Sequence, residues 1–422
     1  MVRKQANDPR QTKKISEGTS GEEKDAPSDG AGDAKPKPAK DGKKKKKENK
    51  EGNVMQADTK TFRSTLVGSL KYILLIIILP PFLNYTALVR EGSYLKPEVG
   101  ELYDIGFGQK MYLGCMGSGS PTVILDAPTG MTSDVWSLVL PLIAKETRVC
   151  VYDRAGLGYS DRPYKNYSKE EGDKADDQKN LRDRWQEFTL ERMIDDLHRL
   201  LSLASQQPKP LILVGSELGG LIARGYTQLY ENEVAHVVLV DPLVEDLFQQ
   251  DEGVWAQFWF GQLIPSYQSL QLTAAMGLTR LALLTGYMEQ PINSQLVSEE
   301  VVKRQKYVLC HPRHLSSVVD EHFFINDTFS QIKTLYLLKP FPQNVSVTVI
   351  TGNYYDEQLP SSLNKAWAKS QENLISRLHP GCKHIVINGA DHKKLYTAHL
   401  AVVDPVLRLV RQWKTKHKVH QA

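Results

Sequence analysis

The chain has 422 residues, 41% hydrophobic and 24% charged, with four cysteines. That is room for two or three average domains, an ordinary folded composition, and too little cysteine for a disulfide scaffold, so a small secreted knot and a wholly disordered chain are excluded. The net charge of +4 is unevenly spread: residues 1–63 hold 17 of the 53 Lys and Arg and 11 of the 49 Asp and Glu, leaving 36 against 38 for the rest, so no nucleic-acid-binding surface is expected on the folded part.

Residues 1–62 are rich in Lys, Glu, Asp, Gly and Pro, nearly lack aromatic and branched apolar side chains, and contain the run Lys43 to Lys47. Such a segment buries too little apolar surface to offset its ordering entropy, so a disordered basic tail is expected. Residues 63–89 change character: from Leu66 to Leu88 the one charge is Lys71, and Tyr72 to Leu79 is uninterruptedly apolar. About 20 helical residues cross the ~30 Å hydrocarbon core of a bilayer. The segment is long enough for a transmembrane signal-anchor, with Lys71 snorkelling to the head groups and Pro80-Pro81 kinking the helix near its far end. A monotopic or re-entrant segment is the alternative. Lysines before it and near-neutral flanks after it (Arg90, Glu91, Lys96, Glu98) place the tail in the cytoplasm and the remaining chain in a lumen or outside the cell. Sequons at Asn166, Asn326 and Asn344 agree with that placement, and the one at Asn84 lies too near the membrane. Cys115, Cys150, Cys310 and Cys382 can pair there in three ways or all stay reduced.

From about Ser93, short apolar runs alternate with longer helical stretches, the pattern of a mainly parallel sheet covered on both faces. Strands are expected at Thr122 to Leu125, Arg148 to Tyr152, Leu211 to Val214, Val237 to Val240, Val347 to Ile350 and His384 to Ile387. Leu190, Met193, Ile194, Leu197, Leu200 and Leu201 recur at helical spacing behind a candidate N-cap, Thr189, and predict an amphipathic helix. The hydrophilic stretch Lys165 to Arg184 reads as a surface insertion. Between Val244 and Lys339 the alternation lapses into aromatic and leucine-rich helical sequence, so residues 244–339 read as a helical cap between two parts of an α/β core, 93–243 and 340–415.

The passage that carries chemistry is Leu211 to Arg224, LILVGSELGGLIAR. A strand, a glycine-rich turn and a helix form an elbow of G-x-Nuc-x-G type, in which Gly215 and Gly219 permit the sharp turn and the middle residue, here Glu217, projects over the sheet. Other glycine-rich turns lack that setting. Met116 to Pro121 precedes a strand and reads as a hairpin turn rather than a dinucleotide fingerprint, and Gly156-Leu-Gly158 is a loop rather than a phosphate cradle. With no Cys-x-x-Cys and no helix-face spacing among His384, His392 and His399, neither metal nor cofactor is expected.

From about Tyr103 to Trp413 the chain resembles the α/β-hydrolase superfamily. The motifs are SGSPTVILDA before the oxyanion loop, RVCVYDRAGLGYSDRP with its D-R-x-G-x-G-x-S turn, LVGSELGG at the elbow and NGADHKK at the histidine loop. The resemblance implies an eight-stranded, mainly parallel sheet with helices on both faces and an inserted cap. It also implies triad positions at Glu217, Asp356 and His392 and oxyanion donors at the Thr129 and Leu218 N–H groups. Glu357 and Asp241 are alternative acids, because ITGNYYD spaces Asp356 one residue further from its glycine than is usual.

The elbow departs from the serine-hydrolase pattern, since histidine cannot make an alkoxide from Glu217. Losing a triad nucleophile costs about six orders of magnitude in rate in one well-studied protease. Ser216 sits before the apex and should point elsewhere. Pro128 supplies no N–H to the oxyanion loop, which weakens but does not abolish it. Two readings follow: a pseudoenzyme that binds an apolar ligand or a partner, or a carboxylate-nucleophile hydrolase of epoxide, haloalkane or ester type using Glu217, His392 and Asp356.

Overall fold

A computed structural model describes residues 48–106, 108–163, 188–292, 296–353, 355–390 and 399–419. The tail to residue 47, the sequon at Asn166, the predicted insertion at Lys165 to Arg184 and the histidine at His392 lie outside the described residues.

Helix α1, Glu48–Tyr94, contains the apolar span Val67–Tyr94, and only 6% of its most apolar window is covered by protein. The helix runs past both ends of the expected 63–89 segment, and Pro80-Pro81 lie inside it. Packing explains the continuation. Asn84 Nδ2 donates to the carbonyls of Ala274 and Cys310 at 2.9 and 3.1 Å, and Glu91 pairs with Arg280, so the turns beyond the prolines are held by tertiary contacts that override the local break. These bonds also bury Asn84.

Eight strands form one sheet in the order β1-β2-β4-β3-β5-β6-β7-β8: β1 Glu101–Asp104, β2 Lys110–Met116, β3 Thr122–Asp126, β4 Val149–Tyr152, β5 Leu211–Ser216, β6 Val234–Val240, β7 Ser346–Thr351 and β8 Lys383–Val386. β1–β2 and β2–β4 pair antiparallel, and every other neighbour pairs parallel. Strands β1 and β2 escaped the sequence reading because their burial is uneven, with β1 mostly exposed. The Met116 to Pro121 turn is not a hairpin turn: it leads from β2 to β3, but β4 lies between them. Turn residues fix a local reversal, not the strand that the chain pairs with next. Cys115 and Cys150 face each other across β2 and β4 in a disulfide, while Cys310 and Cys382 are free.

The central strands are buried on both faces by strict alternation. In β5, Leu211 and Leu213 enter one core and Ile212 and Val214 the other; in β6, Val237 and Leu239 oppose Val238 and Val240 in the same way. Helices α2 (Leu190–His198) and α3 (Leu218–Leu229) contribute Ile194, Leu197 and Leu221 to the first core. Thr189 has the extended backbone of an N-cap.

Among the described residues between β6 and β7 the chain is helical, with α4 Ile264–Ala275, α5 Leu278–Leu284, α6 Glu299–Leu309, α7 Pro312–Phe323 and α8 Ile325–Leu338 as its main elements. Helices α9 (Ser361–Asn373) and α10 (Leu400–Val419) flank the last strand, and Val402, Val403, Val406 and Val410 of α10 close the second core. In register, Asp126 pairs with Gly215, Ser216 with Val240, and Thr351 with Val386. The carboxyl ends of the parallel strands therefore align along one edge, where open α/β sheets bind ligands.

Candidate active site

Strand β5 stops at Ser216 and α3 starts at Leu218, so the chain turns within Glu217. That residue sits at φ 45°, ψ −112°. For a residue with a side chain such a backbone costs on the order of 1–3 kcal/mol and persists only where the surroundings over-determine it. The surroundings are close backbone contacts that glycine alone permits. A Cβ on Gly215 would lie 2.1 Å from the Gly219 carbonyl oxygen, and one on Gly219 would lie 2.9 Å from the carbonyl oxygen of Ala127.

The side chains at the elbow diverge. Ser216 is fully buried and its Oγ donates to the Val240 carbonyl at 2.8 Å, so its hydroxyl faces the sheet below the apex. Glu217 Oε2 instead accepts from the Thr129 N–H at 3.2 Å. The donor that the resemblance assigns to a substrate oxyanion thus holds the apex carboxylate. Leu218 follows at the buried start of α3.

Of the three candidate acids, Asp356 is buried in the loop after β7, where Asn364 of α9 accepts from its N–H at 2.8 Å and donates to its carbonyl at 2.9 Å. Its Oδ1 accepts from the Gln358 N–H at 2.8 Å. That loop meets the histidine loop through the Asn353 N–H, which donates to the Ala390 carbonyl at 3.0 Å. Glu357 is exposed. Asp241, at φ 46°, accepts from the Trp367 indole at 3.1 Å, a bond that fixes α9 against the end of β6.

The structure adds groups that sequence reasoning missed. Arg154, buried in the turn after β4, donates from Nη1 to Asp126 Oδ1 and to the Ala127 carbonyl, and from Nη2 to the Pro128 carbonyl, each at 2.7 Å. Its Nε donates to Glu321 Oε1 of cap helix α7 at 2.7 Å, and Glu321 Oε2 accepts from the Gly130 N–H at 2.7 Å. One guanidinium therefore ties the oxyanion loop to the sheet and to the cap. Burial pushes the Asp126 carboxyl up, and Arg154 opposes that shift. Burial alone would lower Arg154, but Glu321 and Asp126 hold it above its ordinary value. The only signal for Arg154 was its place in the D-R-x-G-x-G-x-S turn.

Tyr267 of α4 and His322 of α7 complete the cap side. Their rings lie 4.5 Å apart, and the Trp259 indole N–H donates to the His322 carbonyl at 2.8 Å. Burial, with the Glu217 charge adding to it, pushes the Tyr267 hydroxyl up to about 12. His322 Nδ1 donates to the Val318 carbonyl at 2.7 Å, and burial pushes the imidazole down to about 4, so the ring is neutral near pH 7. A Cβ on Gly130 would come within 3.1 Å of His322 Cε1, which sets the cap directly on the oxyanion loop. Among the described residues no group of three or more His, Cys, Asp or Glu side chains is placed to hold a metal ion. At the elbow are a carboxylate and a main-chain donor, with the neighbouring hydroxyl turned away.

A family model for the alpha/beta hydrolase fold matches residues 123–293. The chain is an α/β-hydrolase-fold protein. Among solved structures the chain is similar to the Cif epoxide hydrolase from Acinetobacter nosocomialis, with a TM-score of 0.55 and 14% identity over 78% of this chain and 96% of the other, a likeness of fold. Among curated proteins it is 23% identical to the uncharacterized protein YbdG of Bacillus subtilis over 43% of this chain, and 26% identical to the "Probable transporter efuK" of Hormonema carpetanum over 34% of it. The matches span 49% and 18% of those relatives' lengths.

Proposed function

We propose that this α/β-hydrolase-fold chain is a membrane-anchored protein that does not perform serine-type acyl transfer and whose pocket binds an apolar ligand. The observation that carries this reading is the Glu217 carboxylate at the apex, bonded to the Thr129 N–H, with Ser216 Oγ committed to β6. A carbonyl substrate would need that N–H for its developing oxyanion and a hydroxyl to attack it; the first is engaged and the second is absent from the apex. Glu217→Ser tests whether only the nucleophile has been lost. Labelling of the variant by a serine-directed fluorophosphonate is expected, and labelling of the unaltered protein at the elbow would overturn the reading.

Tyr267 favours a second reading. Its ring packs on His322 next to the Gly130 loop, and a carboxylate with a phenol within reach can open an epoxide: one oxygen attacks the ring carbon, and the phenol protonates the departing oxygen. A single turnover in ¹⁸O-water with a reactive epoxide decides between the two. Label in the Glu217 carboxylate establishes ester formation and hydrolysis there; its absence favours binding without turnover.

The same proposal places α1 across a bilayer as a signal-anchor, the basic tail in the cytoplasm and the hydrolase domain in a lumen or outside the cell. The uncovered apolar span supports the anchor, and the Cys115–Cys150 disulfide suits an oxidising compartment. Asn326 and Asn344 are exposed and available as glycan acceptors there.

A further inference from the structure

The cap carries an unusually uncharged stretch: from Val254 to Met288 the only charged residue is Arg280. That guanidinium is neutralised in place, with Nη1 and Nη2 donating to the two oxygens of Glu91 at 2.7 Å each and Nε donating to Asn84 Oδ1 at 2.8 Å. Helices α4 and α5 meet at Gly277, and around that junction large apolar side chains are exposed: Leu272 is 62% exposed, Met276 46%, Leu281 47% and Leu284 71%, while the exposed polar residues of α4, Ser266, Gln268 and Ser269, lie toward its start. A soluble surface disperses such residues; here they cluster around one helical turn, as they do at protein or membrane contacts.

Where that turn lies relative to α1 identifies its partner. At Gly277, φ 74°, a Cβ would fall 2.3 Å from the Pro80 carbonyl oxygen, so the α4–α5 turn is pressed against α1 at Pro80. The apolar span begins at Val67. At 1.5 Å per helical residue, Val67 to Leu79 covers only about 20 Å, short of the ~30 Å hydrocarbon core. A crossing by α1 must therefore use residues beyond Pro80, and those are the residues against which the hairpin is packed. Glu91 with Arg280 and Gly92 beside the Tyr307 hydroxyl then fall further out, toward the head groups, where polar pairs are tolerated.

We infer that the α4–α5 hairpin dips into the outer leaflet alongside α1, its exposed leucines lying in the lipid. The inference rests on the anchor reading above and deepens it. Because α4 also carries Tyr267, whose ring packs on His322 beside the Gly130 loop, the element that enters the lipid is tied to the loop facing the elbow, which fits a ligand dissolved in the bilayer.

The test uses the full chain with Cys310→Ala and Cys382→Ser, reconstituted in phosphatidylcholine vesicles. Single cysteines replace Ile76, Leu284 or Leu337, and each carries an environment-sensitive fluorophore. Leu281→Cys serves as a second hairpin position. A phosphatidylcholine bearing a nitroxide on its acyl chain is expected to quench the label at positions 76, 281 and 284, and to leave that at 337, at the end of α8, bright. Quenching at 76 with none at 281 or 284 overturns the hairpin insertion and leaves the anchor standing. No quenching at 76 overturns the anchor and the inference together, and equal quenching at 337 shows that the effect is not specific to the hairpin and overturns it.

Discussion

The two halves of the site are held by different physics. On the core side, Glu217 and Thr129 are placed by backbone: a strained elbow between two glycines and a loop N–H aimed at the apex. On the cap side, Glu321, Tyr267 and His322 are placed by buried side chains packing on one another and on Arg154. A backbone-built half tolerates exchange of what the apex carries but not of the glycines beneath it, whereas a side-chain-built half fails when a single partner is lost. The contrast also separates chemistry from assembly, because Arg154 joins the halves without touching the apex.

Removing that junction should have the largest effect. Arg154→Met leaves the carboxylates of Asp126 and Glu321 buried without their counter-charge, and breaking a buried ion pair costs about 3–5 kcal/mol. Chemical denaturation should show a loss of that size, and a loss below 1 kcal/mol would mean that the cap is seated by other contacts.

Gly215→Ala attacks the core half alone. Its Cβ meets backbone at 2.1 Å, which cannot rotate away, so an overpacking cost of about 1–3 kcal/mol is expected. Thermal unfolding checks it, and an unchanged midpoint would refute the tightness of the elbow.

Acid should act on the cap half through His322. The folded imidazole lies at about 4 against an ordinary value of 6.5, so in that interval the unfolded chain binds the extra proton. The neutral ring's contribution is complete above pH 6.5 and is lost as the pH falls toward 4, amounting to about 2 kcal/mol at pH 5 at 1.36 kcal/mol per unit. The stability of His322→Gln should therefore fall less between pH 7 and pH 5 than that of the unaltered protein, as read from urea midpoints at each pH. Parallel profiles would contradict the buried neutral ring.

The smallest effect links the halves. Glu217→Gln removes the negative charge that adds to burial in raising Tyr267, so the phenol should ionise at lower pH while staying above its ordinary range. Near-ultraviolet titration of phenolate absorbance reads the shift, and no shift would place Tyr267 away from the apex.

The core half was legible in the sequence because its devices are local. LVGSELGG states the strand, the elbow and the apex residue in eight positions, and the period-2 pattern of β5 and β6 marks two buried faces. The antiparallel strands β1 and β2 were not, since the mostly exposed β1 has no clean alternation and β2 also pairs with β4, a strand distant in sequence. Nor were Glu321 and Tyr267, whose neighbours in the chain carry no motif and whose partners, Arg154 and the Gly130 N–H for one and His322 for the other, are distant in sequence. The extension of α1 beyond residue 89 to Tyr94 has the same cause, contacts of the turns after Pro80-Pro81 with Ala274, Arg280 and Cys310.

Fluorophosphonate labelling of the unaltered protein, followed by peptide mapping across the β5–α3 turn, tests the role of Glu217 most directly. No adduct is expected, because the apex bears a carboxylate and Ser216 Oγ is bonded to the Val240 carbonyl. An adduct on Ser216 would mean that the hydroxyl reaches the apex and that the chain retains serine-type acyl transfer.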